Sequence, residues 1–352
     1  MFLPFSWILR TSEWTPFDSN PIESFFQGFV GACGISVLCN LMRVYYFIQT
    51  CSDYESETEG KQRSSSLGNP LRGSWKTALQ FWSLTVLLSL VGSRVSSLIV
   101  LEFSLRAVSA WASAGLDANG RGLDLLPIQC QFSLGCGLTC TLVFLHQGAP
   151  HSSLSSFLTA ALSWALASFS HSLWSHVARL FPLHSTEHNC GKCITLLTSG
   201  HTILASLQRV VVLAFALATV ASTTMVYDHF LSQKDALKFW TPLTLCYTML
   251  VVYIQVSFCT EDQNQHTCTE ALLHSVVLRL GALLVLMLTV GDWSDVVHVL
   301  IAFLGEAVCL LPSRDLLQAV IKEEEDTSLS KYEQSSSHKT RERTRKTSSD
   351  DS

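Results

Sequence analysis

Charge is what this chain has least of. Only 14% of its 352 residues are Asp, Glu, Lys or Arg, against about 25% in an average soluble chain. That deficit excludes an ordinary water-facing surface and points to lipid as the main solvent. A net charge of −5 leaves no basic footprint for nucleic acid. Glycosylation acceptors are missing too: Asn20 and Asn69 precede Pro, and Asn40, Asn119, Asn189 and Asn264 lack a hydroxyl residue two positions on. Catalytic templates are absent as well. There is no GxSxG, no Walker loop and no HExxH; His171 and His176 are five apart, about 140° around a helix. Neither an enzyme nor a cofactor is expected.

What is present is a series of apolar runs. A spanning helix needs about 20 largely apolar residues, and eight runs qualify: 25–48, 78–101, 126–146, 154–178, 203–226, 239–258, 272–290 and 296–311. The expected fold is all-α, a polytopic transmembrane bundle of about eight spanning helices over residues 25–312. Residues 1–24, with Phe2, Phe5, Trp7 and Trp14, suit an interfacial N-terminal segment. Residues 313–352 read as a charged, disordered tail, which favours both termini in the cytoplasm. Lys/Arg counting through eight alternating spans gives eight against seven, which decides nothing.

Some polar residues sit where lipid would surround them. An ionisable group at membrane depth costs roughly 2.5–3.5 kcal/mol on the insertion scale. Arg94 lies inside the run Phe81–Val108, with Glu102 and Arg106 near its end. Glu102 and Arg106 are one helical turn apart and can pair, which leaves Arg94 without an answer in its own helix. Arg279 lies 14 residues before Trp293 and Glu306 lies 13 after it, so an antiparallel hairpin would bring the two to matched depth. His201, Gln208 and Arg209 share a face of the fifth run, and Ser168, His171, Ser172 and Ser175 form a polar stripe on the fourth. These groups either lock the helices together or line a pathway. Gly28, Gly31 and Gly34 on the first run, and Gly135 and Gly137 on the third, suit close helix approach.

Seven of the twelve cysteines lie inside apolar runs, where a thiol behaves as a small hydrophobe. The segment His184–Cys193 places His184, His188, Cys190 and Cys193 together and is a weak metal candidate; zinc ribbons use two well-separated pairs.

VGSRV (91–95), VLEFSLRAVS (100–109), QFSLGCGLTC (131–140), QGAPH (147–151), FWTPLTLCYTMLVVYIQ (239–255), LTVGDWSD (288–295) and LGEAVCL (304–310) closely resemble the transmembrane protein 82 family. The resemblance covers most of residues 25–315, while the acidic 259–270 segment and the tail depart from it. It implies a multi-pass membrane protein with no defined activity, cofactor or site residues. The expected function is a structural or binding bundle with buried polar pairs. Its partners would be the lipid bilayer and a membrane protein or small solute. The alternative is a transporter or channel for a small polar or anionic solute.

Overall fold

A computed structural model describes residues 21–57, 74–114, 126–146, 152–184, 191–229 and 293–310. The described residues are helical and contain no strand, so the all-α class holds. In hydrocarbon every backbone N–H and C=O must be satisfied within its own segment, and helices achieve this. The elements are α1 (Pro21–Glu57), α2 (Ser74–Ala114), α3 (Leu126–Gln129), α4 (Gln131–His146), α5 (Ser152–His184), α6 (Gly191–His229) and α7 (Trp293–Leu310). Pro21 opens α1 at a position whose N–H has no helical acceptor, and Glu23 sits in the first turn, where the helix dipole favours a carboxylate.

Eight spans overstate what is seen. Among the described residues, Pro21–Gln49 and Ile203–Val226 are long and apolar enough to cross a membrane, and a bent pair in α2 makes three if taken as one span. The run 78–101 is not a single straight helix: Trp75–Ser93 and Val95–Ser109 meet at 96°. The cause is Gly92, whose φ of 73° and ψ of 163° break the helical path. That region of backbone space belongs essentially to glycine. Run 126–146 is interrupted at Cys130, leaving α4 with 16 residues, about 24 Å. Run 154–178 falls within α5, whose 33 residues include nine serines that dilute its hydropathy. In α7 only the short stretch Leu300–Cys309 is strongly apolar. Runs 239–258 and 272–290 lie outside the described residues.

α4 is the axis of the bundle. Gln131 to Gly137, Thr139, Cys140 and Leu142 are all buried, the pattern of a helix enclosed on every side. α1, α2, α5, α6 and α7 all pack on it. A Cβ on Gly31 would sit 2.9 Å from the Gly135 carbonyl oxygen, so α1 and α4 are in backbone contact. Without a hydrophobic drive between helices in lipid, such close approach supplies the attraction. α6 is peripheral: 11% of its apolar window is buried, against 56% for that of α1.

The outer faces are apolar. Trp75, Leu79, Trp82 and Val86 form an exposed stripe on the first arm of α2, and Phe157, Leu162, Leu166 and Phe169 are exposed on α5. Val210, Leu213, Leu217 and Val220 are exposed on α6. Inside lie Asn40, Thr85, Ser97, Glu102, Gln131, Ser133, Ser170, Ser222 and Glu306.

Candidate functional site: the polar interior of the bundle

Gln131 opens α4 and is fully enclosed. Its amide oxygen accepts a hydrogen bond from the Cys39 thiol of α1 at 3.2 Å. The Glu306 carboxyl of α7 lies within electrostatic reach of the thiols of Cys130, Cys136 and Cys309. Cys39 in turn lies within reach of Cys130 and Cys309. The result is a buried group of four thiols, one carboxamide and one carboxyl where α1, α4 and α7 converge. No disulfide links these cysteines. Among the described residues no three His, Cys, Asp or Glu groups are placed to hold a metal.

A second polar cluster closes the far arm of α2. Arg106 Nη2 stands 3.6 Å from Glu102 Oε2, as the one-turn spacing suggests, though longer than a good hydrogen bond. The Arg106 guanidinium also rests 5.3 Å above the Phe103 ring, within cation–π range. Phe103 in turn packs on Phe215 of α6 with centroids 4.7 Å apart.

Single hydrogen bonds lock the remaining helix pairs. Asn40 Nδ2 donates to Ser170 Oγ at 3.2 Å, joining α1 to α5. Ser104 Oγ and Thr219 Oγ1 are 3.0 Å apart between α2 and α6. Gln80 Nε2 donates to the Val308 carbonyl at 3.3 Å, tying α2 to α7. At the bend of α2, the Cys140 thiol donates to the Ser93 carbonyl at 3.7 Å. A neighbouring helix thus engages a backbone group beside a broken helical path. Both ring nitrogens of His146 meet serines of α5, Ser155 at 3.0 Å and Ser156 at 3.2 Å, which fixes the α4–α5 hairpin.

Asn40→Val tests the strength of these locks. Interhelical hydrogen bonds in membranes average about 0.6 kcal/mol, and Ser170 keeps its bond to the Ala167 carbonyl. We expect a loss of roughly 0.6 kcal/mol by denaturant unfolding in detergent micelles. A loss several times larger would mean that Asn40 carries more than this one bond.

The residues singled out from sequence fall into three groups. Glu306 is buried in the polar interior, as expected of an intramembrane carboxyl. His171, Gln208 and Arg209 are exposed, on α5 and α6, so they do not face inward to line a common cavity. The reason is their position on the helix: Leu207, Val211 and Ala214 take the packing face of α6 and turn Gln208 and Arg209 away. The backbone of Arg94 follows the bend directly, and its side chain lies outside the described residues, as does that of His201. Arg279 lies outside them too, so its pairing with Glu306 is not on view. His188 and Cys190 lie outside the described residues, and so do the side chains of His184 and Cys193. Sequence reasoning missed Gln131 and the convergence of the thiols. Gln131 is an amide at the head of an apolar, small-residue run, and that was its only signal.

Comparison with known proteins agrees with this inside-out distribution. No solved structure matches the chain. The family described as Transmembrane protein 82 matches residues 22–331, a stretch that includes the acidic 259–270 segment and the start of the tail. The apolar helices and this match place the protein in a membrane, with the lipid bilayer as its environment. The chain belongs to the Transmembrane protein 82 family.

Proposed function

We propose that the chain is a multi-pass bundle that serves as a structural or binding scaffold within the bilayer, its interior polar contacts holding the helices in register. One observation carries this reading: polar groups are enclosed between helices while large apolar side chains cover the outside. The interior groups engage one another across helix pairs, as Cys39 does with Gln131 and Asn40 with Ser170. No catalytic step is part of the proposal. Residues 1–24 are taken as an interfacial segment and 313–352 as a charged tail, flanking the bundle.

Flux measurement tests it. Reconstituted into proteoliposomes, the protein is expected to leave a panel of small anions and cations no more permeant than empty vesicles do. Solute flux that is abolished by Glu306→Gln would replace the scaffold with a transporter.

A further inference from the structure

The direction of each helix can be read from its contacts. α1 and α4 are antiparallel: Cys39 bonds Gln131, Gly31 lies against Gly135 and Thr139, and Val30 clusters with Leu142. α1 and α5 are parallel: Phe26 meets Phe157, Asn40 meets Ser170, and Phe47 meets Trp174. α6 opposes α1, since Ile203 packs with Val44 and Ile48 while Ala218 lies on Gly137. One end of the bundle therefore receives the C-terminal ends of α1 and α5 and the starts of α4 and α6.

Parity follows. Between the end of α1 and the start of α4 the described helices are α2 and the four-residue α3, which at about 6 Å is too short to cross, and α1 finishes at the end where α4 begins. α2 must then enter and leave at that same end, which a single straight span cannot do. The bend at Gly92 provides the reversal. Its apex, Ser93, sits at Cys140 towards the opposite end, and its second arm returns so that Phe103 packs with Met42, Tyr46 and Cys130. The arms are about 28 and 22 Å long. Opened to 96°, they cannot both stand upright across a core of about 30 Å.

We propose that α2 is a re-entrant hairpin, and that the bundle end holding both its feet faces the cytoplasm. The proposal rests on the multi-pass reading. The orientation comes from recounting basic residues. With α2 dipping into the membrane rather than crossing it, Lys61, Arg63, Arg72 and Lys76 share a side with Arg121, Arg179 and Lys192. The opposite side holds Arg10 before α1 and Lys234 and Lys238 after α6. Seven against three is a clear bias under the positive-inside rule, where eight straight spans sort the same residues four against six. It also puts the segment before α1 outside the cytoplasm, the reverse of what the charged tail suggested.

Cys51 and Cys190 decide the matter, because eight alternating spans put them on opposite sides and the hairpin puts them on the same one. Cells are permeabilised so that only cytosolic faces are open, treated with a membrane-impermeant maleimide, and the labelled peptides are read by mass spectrometry. Both cysteines are expected to react, while a Ser12→Cys variant reacts only after full detergent opening. One natural site reacting and the other staying protected overturns the hairpin. Both staying protected, or Ser12→Cys reacting at once, overturns the orientation. Alkaline carbonate extraction is run alongside, and release of the chain from membranes would overturn the multi-pass reading itself.

Discussion

Phe132→Ala is expected to destabilise the bundle by about 2.4 kcal/mol, mainly by leaving a hole. In water the loss would include the transfer of a large apolar side chain. In lipid that part is small, because acyl chains are as apolar as the protein interior. What remains is the cavity: about 100 Å³ removed, at roughly 24 cal/mol per Å³. Phe132 is fully buried in the first turn of α4, with other helices on all sides and little scope for collapse. Its ring also occupies the space that a Cβ on Gly305 of α7 would need. Gly305→Ala alone is therefore expected to cost about 1–3 kcal/mol by overpacking. Combined with Phe132→Leu, it should cost less than the two single changes added together, with a coupling of roughly 0.5–3 kcal/mol. Denaturant unfolding of the four proteins in one detergent measures this cycle. Strict additivity would mean that α7 does not seat on Phe132.

Gly92→Ala is the second large effect, and its cause is different. A Cβ at Gly92 meets nothing within 4 Å, so the cost lies in the backbone alone. A φ of 73° with a ψ of 163° is held at a cost of about 1–3 kcal/mol by any residue with a side chain. The variant either bears that strain or straightens α2. Straightening would draw the Ser93 carbonyl away from the Cys140 thiol. Expected results are a lower midpoint of thermal unfolding in detergent and, in intact membranes, divided labelling of Cys51 and Cys190. Ser93→Ala is the matched control, since Ser93 offers Cys140 its carbonyl rather than its hydroxyl. That substitution should stay within about 0.5 kcal/mol of the parent. Equal behaviour of the two variants would show that the bend does not depend on glycine.

Much of the fold was legible in the residues, and the failures share one physical origin. Apolar length gave the helical class, placed the apolar span of α6 to the residue and put that of α1 within four residues, because both have a long, uninterrupted run. The Glu102–Arg106 pair was readable because it is local. Length alone could not reveal the bend in α2. Gly92 sits among Val91, Ser93 and Val95, and a helix, a kink and a hairpin share that composition. On the proposed hairpin, taking α2 for a full span moves the following loops to the other side, and the basic residues then fail to sort. Faces were the other limit. Periodicity groups Gln208 with Arg209 but does not say which side of α6 meets its neighbours; Leu207, Val211 and Ala214 decide that. The thiols around Glu306 come from α1, α4 and α7, and only tertiary contact brings them together.

The enclosure of α4 also has a consequence in time. Chains enter membranes from the N-terminus onward, and α4 emerges before α5, α6 and α7 exist to cover it. Its short length and inward-facing Gln131, Ser133 and Thr139 make it a poor solitary resident of lipid. Gly305, which closes over Phe132, is made only when synthesis is well advanced. Until then α1, α2, α5 and α6 are its shelter from within the chain, so a synthesis intermediate halted before α7 would show quality-control factors the side of α4 that Gly305 later covers.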